Sequence, residues 1–173
     1  MSQFKNTGIA WIWIAILVFI FDQVTKIAVL QNFALYESVK ITDFFNLIYV
    51  QNFGAAFSFL ADHNGWQRWF FTAIAIFAVG LISYWLTKTE KNKLLLCIGF
   101  NLILGGALGN LYDRVAYGFV VDFLDFTIPL YGRWPAFNIA DMGIVIGAGL
   151  ILLDSFKNPE NAEQDKKEQT AGK

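Results

Sequence analysis

The sequence has one cysteine and one histidine. A lone cysteine, Cys97, excludes an intrachain disulfide framework. One histidine with one cysteine excludes a zinc centre built from those two ligand types. No G-x-S-x-G elbow is present, which removes the usual sign of an α/β-hydrolase serine. Ser58 and His63 form a weaker serine–base candidate, because five residues apart they meet only if the loop between them folds back. His63 otherwise reads as an exposed loop residue and Cys97 as inert mid-span core. Charge is scarce too. Only 16% of residues are charged, against about 25% in ordinary soluble domains. The net charge is −1, so no global field draws nucleic acid.

What is abundant is apolar. The chain is 56% hydrophobic, with 18 Phe and 6 Trp among 173 residues, which points to lipid as the solvent. Four stretches meet or approach the roughly 20 residues needed to span a bilayer: about 8–30, 69–87, 94–112 and 136–153. The second and third carry no charge. The first contains Asp22 and Lys26, the fourth Asp141. The expected fold is an all-α membrane protein, a four-transmembrane-helix bundle with a small periplasmic-side β element. It forms one domain over residues 1–156, followed by a polar, cytoplasmic, disordered tail at 157–173. The first stretch follows Lys5 as a signal peptide would, but has no small-residue cleavage pattern; it reads as a retained anchor.

Lysine and arginine in short loops set orientation. The basic turn 88–93, with Lys5 and the tail lysines 157, 166 and 167, belongs on the cytoplasmic side. Both termini are then inside. The connections 31–68 and 113–135, which carry Lys40, Arg68, Arg114 and Arg133, face outward. Residues 43–52 and 119–126 within them are aromatic and branched, as strands are. Gly54 allows close backbone approach. Gly105 with Gly109, and Gly143 with Gly147, have the four-residue spacing that lets helices pack tightly in lipid.

The carboxylates carry the chemistry. An ionisable group costs about 2.5 kcal/mol or more at a bilayer centre, so it normally faces protein or water and has a function. Pro135 suits the first turn of the fourth span. Asn138 and Asp141, three apart, would then share a helix face, with Asp141 about one and a half turns inside and close enough to the helix N-terminus for the dipole to favour its charge. Asp122 lies among Val120, Val121, Phe123 and Leu124; alone there it would stay protonated. Two neighbouring carboxyls share a proton, one donating and one accepting, which is the chemistry of an aspartic peptidase. In an extended segment Asp122 and Asp125 point to opposite faces, so only one should face such a site. Asp141 is expected to hold most of the shared negative charge.

Asn110 and Arg114, four apart, share a face if the third helix continues. Arg114 could grip a peptide carbonyl, pair with Asp113, or snorkel to the interface. Asp22 and Lys26 have the favourable order for a helical ion pair. Each residue also has a plain reading: a cap for Asp141, a surface loop acid for Asp122, packing for the glycines. Two other functions fit intramembrane acids, a proton-coupled transporter and a structural membrane subunit. The first lacks repeat halves; the second leaves the acids without a return for their cost.

Five blocks in order then resemble one family: residues 22–26 (Asp-Gln-Val-Thr-Lys), 52–58 (Asn-Phe-Gly-Ala-Ala-Phe-Ser), 105–114 (Gly-Gly-Ala-Leu-Gly-Asn-Leu-Tyr-Asp-Arg), 120–123 (Val-Val-Asp-Phe) and 137–141 (Phe-Asn-Ile-Ala-Asp). They resemble the motifs of the lipoprotein signal peptidases, the type II signal peptidases of bacteria, over about residues 16–153. The resemblance implies an intramembrane aspartic peptidase of the cell inner membrane with Asp122 and Asp141 as the catalytic pair. It implies a substrate pocket at Asn52, Gly54, Asn110, Arg114 and Asn138, and supporting roles for Asp22, Lys26 and Asp113. It further implies a diacylglyceryl-modified prolipoprotein substrate cut just before the lipidated cysteine, sensitivity to the cyclic peptide globomycin, and no metal or other cofactor. Membrane lipid is the expected surrounding, nucleic acid is not an expected partner, and the chain is expected to act as a monomer.

Overall fold

The structure is a computed structural model that describes residues 6–54 and 66–158. A short 3-10 turn, Gly8–Trp11, leads into α1 (Ile12–Asn32). Strands β1 (Ser38–Lys40) and β2 (Phe45–Asn52) follow. Helices α2 (Trp66–Lys88) and α3 (Leu94–Ala116) come next, then β3 (Val120–Ile128), β4 (Gly132–Arg133) and α4 (Ile139–Lys157). Among the described residues four helices are long and apolar enough to cross a membrane. The fold is therefore a four-helix membrane bundle with one small antiparallel sheet, ordered β1-β2-β3-β4.

Helix α3 is the centre of the bundle, with half of its apolar window buried. Glycine makes this possible. A methyl group on Gly105 would stand 2.6 Å from the Ala15 carbonyl of α1, and one on Gly147 would stand 2.5 Å from the Gly99 carbonyl. Gly106 faces the Ala140 backbone, and Gly143 faces Leu102. Of the glycines marked in the sequence, Gly105, Gly143 and Gly147 are therefore points of backbone contact, the way helices associate where lipid supplies no hydrophobic drive, while Gly109 makes room for the Asp22 carboxylate. Ala15, Ile82, Leu86, Phe100 and Leu104 form the apolar core of α1, α2 and α3. Val29, Tyr49, Val121 and Phe123 form a second core, where the end of α1 meets the sheet.

One end of the bundle joins the amino-terminal segment to the α2–α3 turn: Gly8 N–H donates to the Thr89 carbonyl (2.7 Å) and Lys91 N–H to that of Asn6 (3.0 Å). The sheet lies toward the other end.

Several boundaries differ from expectation. The fourth helix starts at Ile139, not near 136. Phe137 bridges Leu124 of β3, exchanging N–H···O bonds of 2.8 and 3.1 Å. Pro135 thus lies ahead of the helix rather than in its first turn, and Asn138 is its N-cap. Helix α3 runs on past 112 to Ala116, keeping Asp113 and Arg114 helical. Helix α2 begins three residues earlier than expected. Cys97 sits in the first turn of α3, not mid-span, with its thiol 3.2 Å from the Glu90 carbonyl. Ser58, His63 and the tail beyond Asn158 lie outside the described residues.

Candidate active site

The start of α4 is built by two side chains that cap one another. Asn138 has an extended backbone, and its side-chain carbonyl accepts the Asp141 N–H at 2.9 Å. Asp141 Oδ2 in return accepts the Asn138 N–H at 3.3 Å. This reciprocal box satisfies two of the donors a helix start leaves open. It corrects the expected depth: Asp141 is the third helical residue, within the first turn. Asn138 and Asp141 meet as cap and N3 residue, rather than as neighbours on a helix face. Asp141 Oδ1 accepts a further bond, from Asn110 Nδ2 at 2.8 Å.

Asp122 comes from β3. It is 2% exposed and takes two amide donors, Asn52 Nδ2 at 2.9 Å and Asn138 Nδ2 at 2.8 Å. Burial raises its carboxyl to about 7, the Asp141 charge adds to the rise, and the two amides offset part of it. Near neutral pH Asp122 is thus poised between acid and carboxylate. Asn138 touches both acids, its amide nitrogen on Asp122 and its backbone and carbonyl on Asp141.

Behind the acids lies a buried charged knot. Lys26 Nζ reaches Asp22 Oδ2 at 2.8 Å, Asp113 Oδ2 at 2.9 Å and Asn110 Oδ1 at 3.0 Å. All three ionic side chains are at most 1% exposed. Asp22 Oδ1 accepts the Ala140 N–H of α4 at 2.8 Å, and Asp113 Oδ2 accepts the Val121 N–H of β3 at 3.1 Å. Gln23, which the sequence reading did not single out, bonds to both acids. Its signal was a polar residue beside Asp22 in an apolar helix. The knot joins α1, α3, β3 and α4, and leaves no lone charge buried.

The other expected residues also converge. Gly54 N–H bonds Asn52 Oδ1 at 3.0 Å, and the Gly54 carbonyl accepts Arg114 Nη2 at 3.1 Å. Arg114 also donates to the Asn110 carbonyl at 3.2 Å and lies over the Phe71 ring. The carbonyls that Arg114 holds are those of its own chain, and Asp113 turns to Lys26 instead.

Asp125 corrects the one-face expectation. It borders the same cleft as Asp122, a cavity of about 290 Å³. The backbone explains the opening. Trp134 N–H bonds the Phe126 carbonyl and Phe137 bridges Leu124, so Pro135 and Ala136 stand opposite Asp125 alone. Proline has no N–H for the ladder, and on the other side of β3 the β2 strand slips register between Leu47 and Val50, opposite Phe123.

Comparison with known proteins gives one answer. The family model described as signal peptidase (SPase) II matches residues 14–157. A lipoprotein signal peptidase of Alteromonas mediterranea is 49% identical over 173 residues, 99% of this chain and 94% of that protein. One of Shewanella oneidensis is 52% identical over 167 residues, 95% of this chain and 96% of that protein. Two solved bacterial membrane enzyme structures superpose with TM-scores of 0.77 and 0.75, at 38% and 36% identity. They cover 87% and 85% of this chain, and 89% and 92% of theirs.

Proposed function

The chain belongs to the signal peptidase II family, a bacterial multi-pass membrane peptidase, and from that premise we propose that it is an intramembrane aspartic endopeptidase. It removes signal peptides from lipoproteins, and its substrates are diacylglyceryl-modified prolipoproteins cut just before the lipidated cysteine. Membership supports a peptidase over the transporter or the structural subunit.

The dyad is Asp122 and Asp141. The observation that carries it is the position of Asn138, hydrogen-bonded to both acids at once. Ionised Asp141 takes a proton from water as the water oxygen attacks the scissile carbonyl carbon. Protonated Asp122 gives its proton to the carbonyl oxygen, forming a tetrahedral diol. Collapse breaks the C–N bond, a proton passes to the leaving nitrogen, and the dyad returns to its shared single proton. No redox change occurs, so water and two carboxyls suffice. Asn52, Gly54, Asn110, Arg114 and Asn138 line the pocket; Asp22, Lys26 and Asp113 hold it in shape.

The lipid anchor supplies binding energy, about 0.8 kcal/mol for each methylene buried, while the dyad supplies the chemistry. Both termini lie in the cytoplasm, the dyad sits near the outer face of the inner membrane, and the enzyme acts as a monomer. The test is incubation with a lipid-modified precursor and its unlipidated twin. Cleavage of the first alone, blocked by globomycin and absent in Asp122→Asn and Asp141→Asn, supports the reading. Normal cleavage by either variant removes the dyad.

A further inference from the structure

The cleft beside Asp122 is bounded by an ion pair that the dyad chemistry does not use. Asp125 is 2% exposed in its side chain. It receives Arg133 Nε on Oδ1 at 2.7 Å, Arg133 Nη2 on Oδ2 at 2.6 Å, and Asn46 Nδ2 on Oδ2 at 3.0 Å. The two-pronged contact fixes the guanidinium plane. Arg133 is itself 56% exposed, so its outer edge meets solvent at the cleft. The side walls are apolar, from Ile48, Val50 and Trp134. At about 290 Å³ the space lies below the roughly 300–1,000 Å³ of pockets for drug-sized molecules. It suits one amino-acid side chain and is too small for a pair of acyl chains.

We infer that this cleft receives the substrate residue just after the lipid-modified cysteine, and that the Asp125–Arg133 pair selects its charge. The inference rests on the peptidase reading above. The acyl chains hold the cysteine in the bilayer, and the signal segment before it is removed on the membrane side. Only the chain after the cysteine leaves toward the sheet, where the cleft shares a wall with Asp122. Arg133 presents positive charge to that residue, while Asp125 is covered by its own three donors. An acidic or neutral side chain is accepted there and a basic one is disfavoured.

The test uses three lipid-modified precursors that differ only at that residue, bearing Asp, Ala or Lys, with the full-length enzyme. Wild type is expected to cut the Asp and Ala precursors at least about fivefold faster than the Lys precursor. In Arg133→Met the Asp125 charge loses its cover, and the Lys precursor gains roughly tenfold over the Asp precursor. The double variant Asp125→Asn/Arg133→Met carries neither charge to bury, and its discrimination between Asp and Lys disappears. That loss of discrimination tests the inference on its own should Arg133→Met fail to fold. Equal slowing on all three precursors, or unchanged ratios in the double variant, overturns the inference and leaves the peptidase reading intact. Failure of wild type to cut any of the three overturns both.

Discussion

Asn138 gives its side-chain N–H to Asp122 at 2.8 Å, while the oxygen of the same amide accepts the backbone N–H of Asp141 at 2.9 Å. The residue that starts α4 is therefore also the residue that spaces the two acids. Helix capping and the proposed dyad meet in one amide, and substitutions can separate them.

Asn138→Ala removes both functions. Loss of the cap costs about 0.5–2 kcal/mol, and Asp122 loses a donor. Asn138→Ser restores a capping oxygen but cannot also reach Asp122. We expect thermal stability to recover in the serine variant while kcat/KM stays at least tenfold below wild type. Thermal unfolding and cleavage assays on the two variants check this. Full activity in the serine variant would show that the bridge to Asp122 is dispensable.

The raised carboxyl of Asp122, at about 7, fixes a pH dependence. Its unfolded value is near 3.8, so between about 4 and 7 the folded state binds the extra proton. Folding stability contributed by this group is thus full below about 4 and lost as pH rises toward 7. Activity that needs protonated Asp122 falls on the alkaline side of about 7. Asn52 lowers the carboxyl by donating to it. Asn52→Ala should therefore move the alkaline limb of kcat/KM to higher pH. An unmoved or downward-shifted limb contradicts the assignment of Asp122 as the acid.

Lys26 is the shared ion-pair partner of two buried acids and orients a third group. Because it donates to Asn110 Oδ1 at 3.0 Å, the Asn110 amide nitrogen is turned to Asp141. Lys26→Met strands Asp22 and Asp113 and should cost roughly 3–5 kcal/mol. Asp113→Asn leaves the Asp22–Lys26 pair and should cost less. Denaturant titration in detergent ranks the two; equal losses would show that the knot does not act through its charge balance.

The sequence was legible where one residue type had one physical solution. Long uncharged runs became helices, branched runs became β2 and β3, and glycines four apart became helix contacts. Tertiary pairing was harder to read. The spacing of Asn138 and Asp141 fits a helix face as well as a cap, and only the Phe137–Leu124 bridge decides between them. Arg114 had several possible partners, and Lys26 takes Asp113 from it. Asp125 depended on the register shift of β2 between Leu47 and Val50, which alternation along β3 cannot reveal. Arg133 entered the sequence reading only as a loop charge, with no spacing that tied it to Asp125.

The glycine contacts between α3 and α4 allow packing to be tested apart from chemistry. A methyl group at Gly147 meets the Gly99 carbonyl, and one at Gly106 meets the Ala140 carbonyl. Either alanine must push the helices apart, at about 1–3 kcal/mol. Ala140, however, precedes Asp141, and its N–H is held by Asp22 at 2.8 Å. Displacement at Gly106 therefore moves the acid relative to Asn110, four residues along α3. Displacement at Gly147 falls two turns further into α4 and leaves that end alone. Gly106→Ala and Gly147→Ala should lower the melting temperature alike, while only Gly106→Ala lowers kcat/KM, by at least tenfold per folded enzyme. Equal activity losses at matched stability would mean that the whole α3–α4 seam, and not its outer end, sets the spacing of the acids.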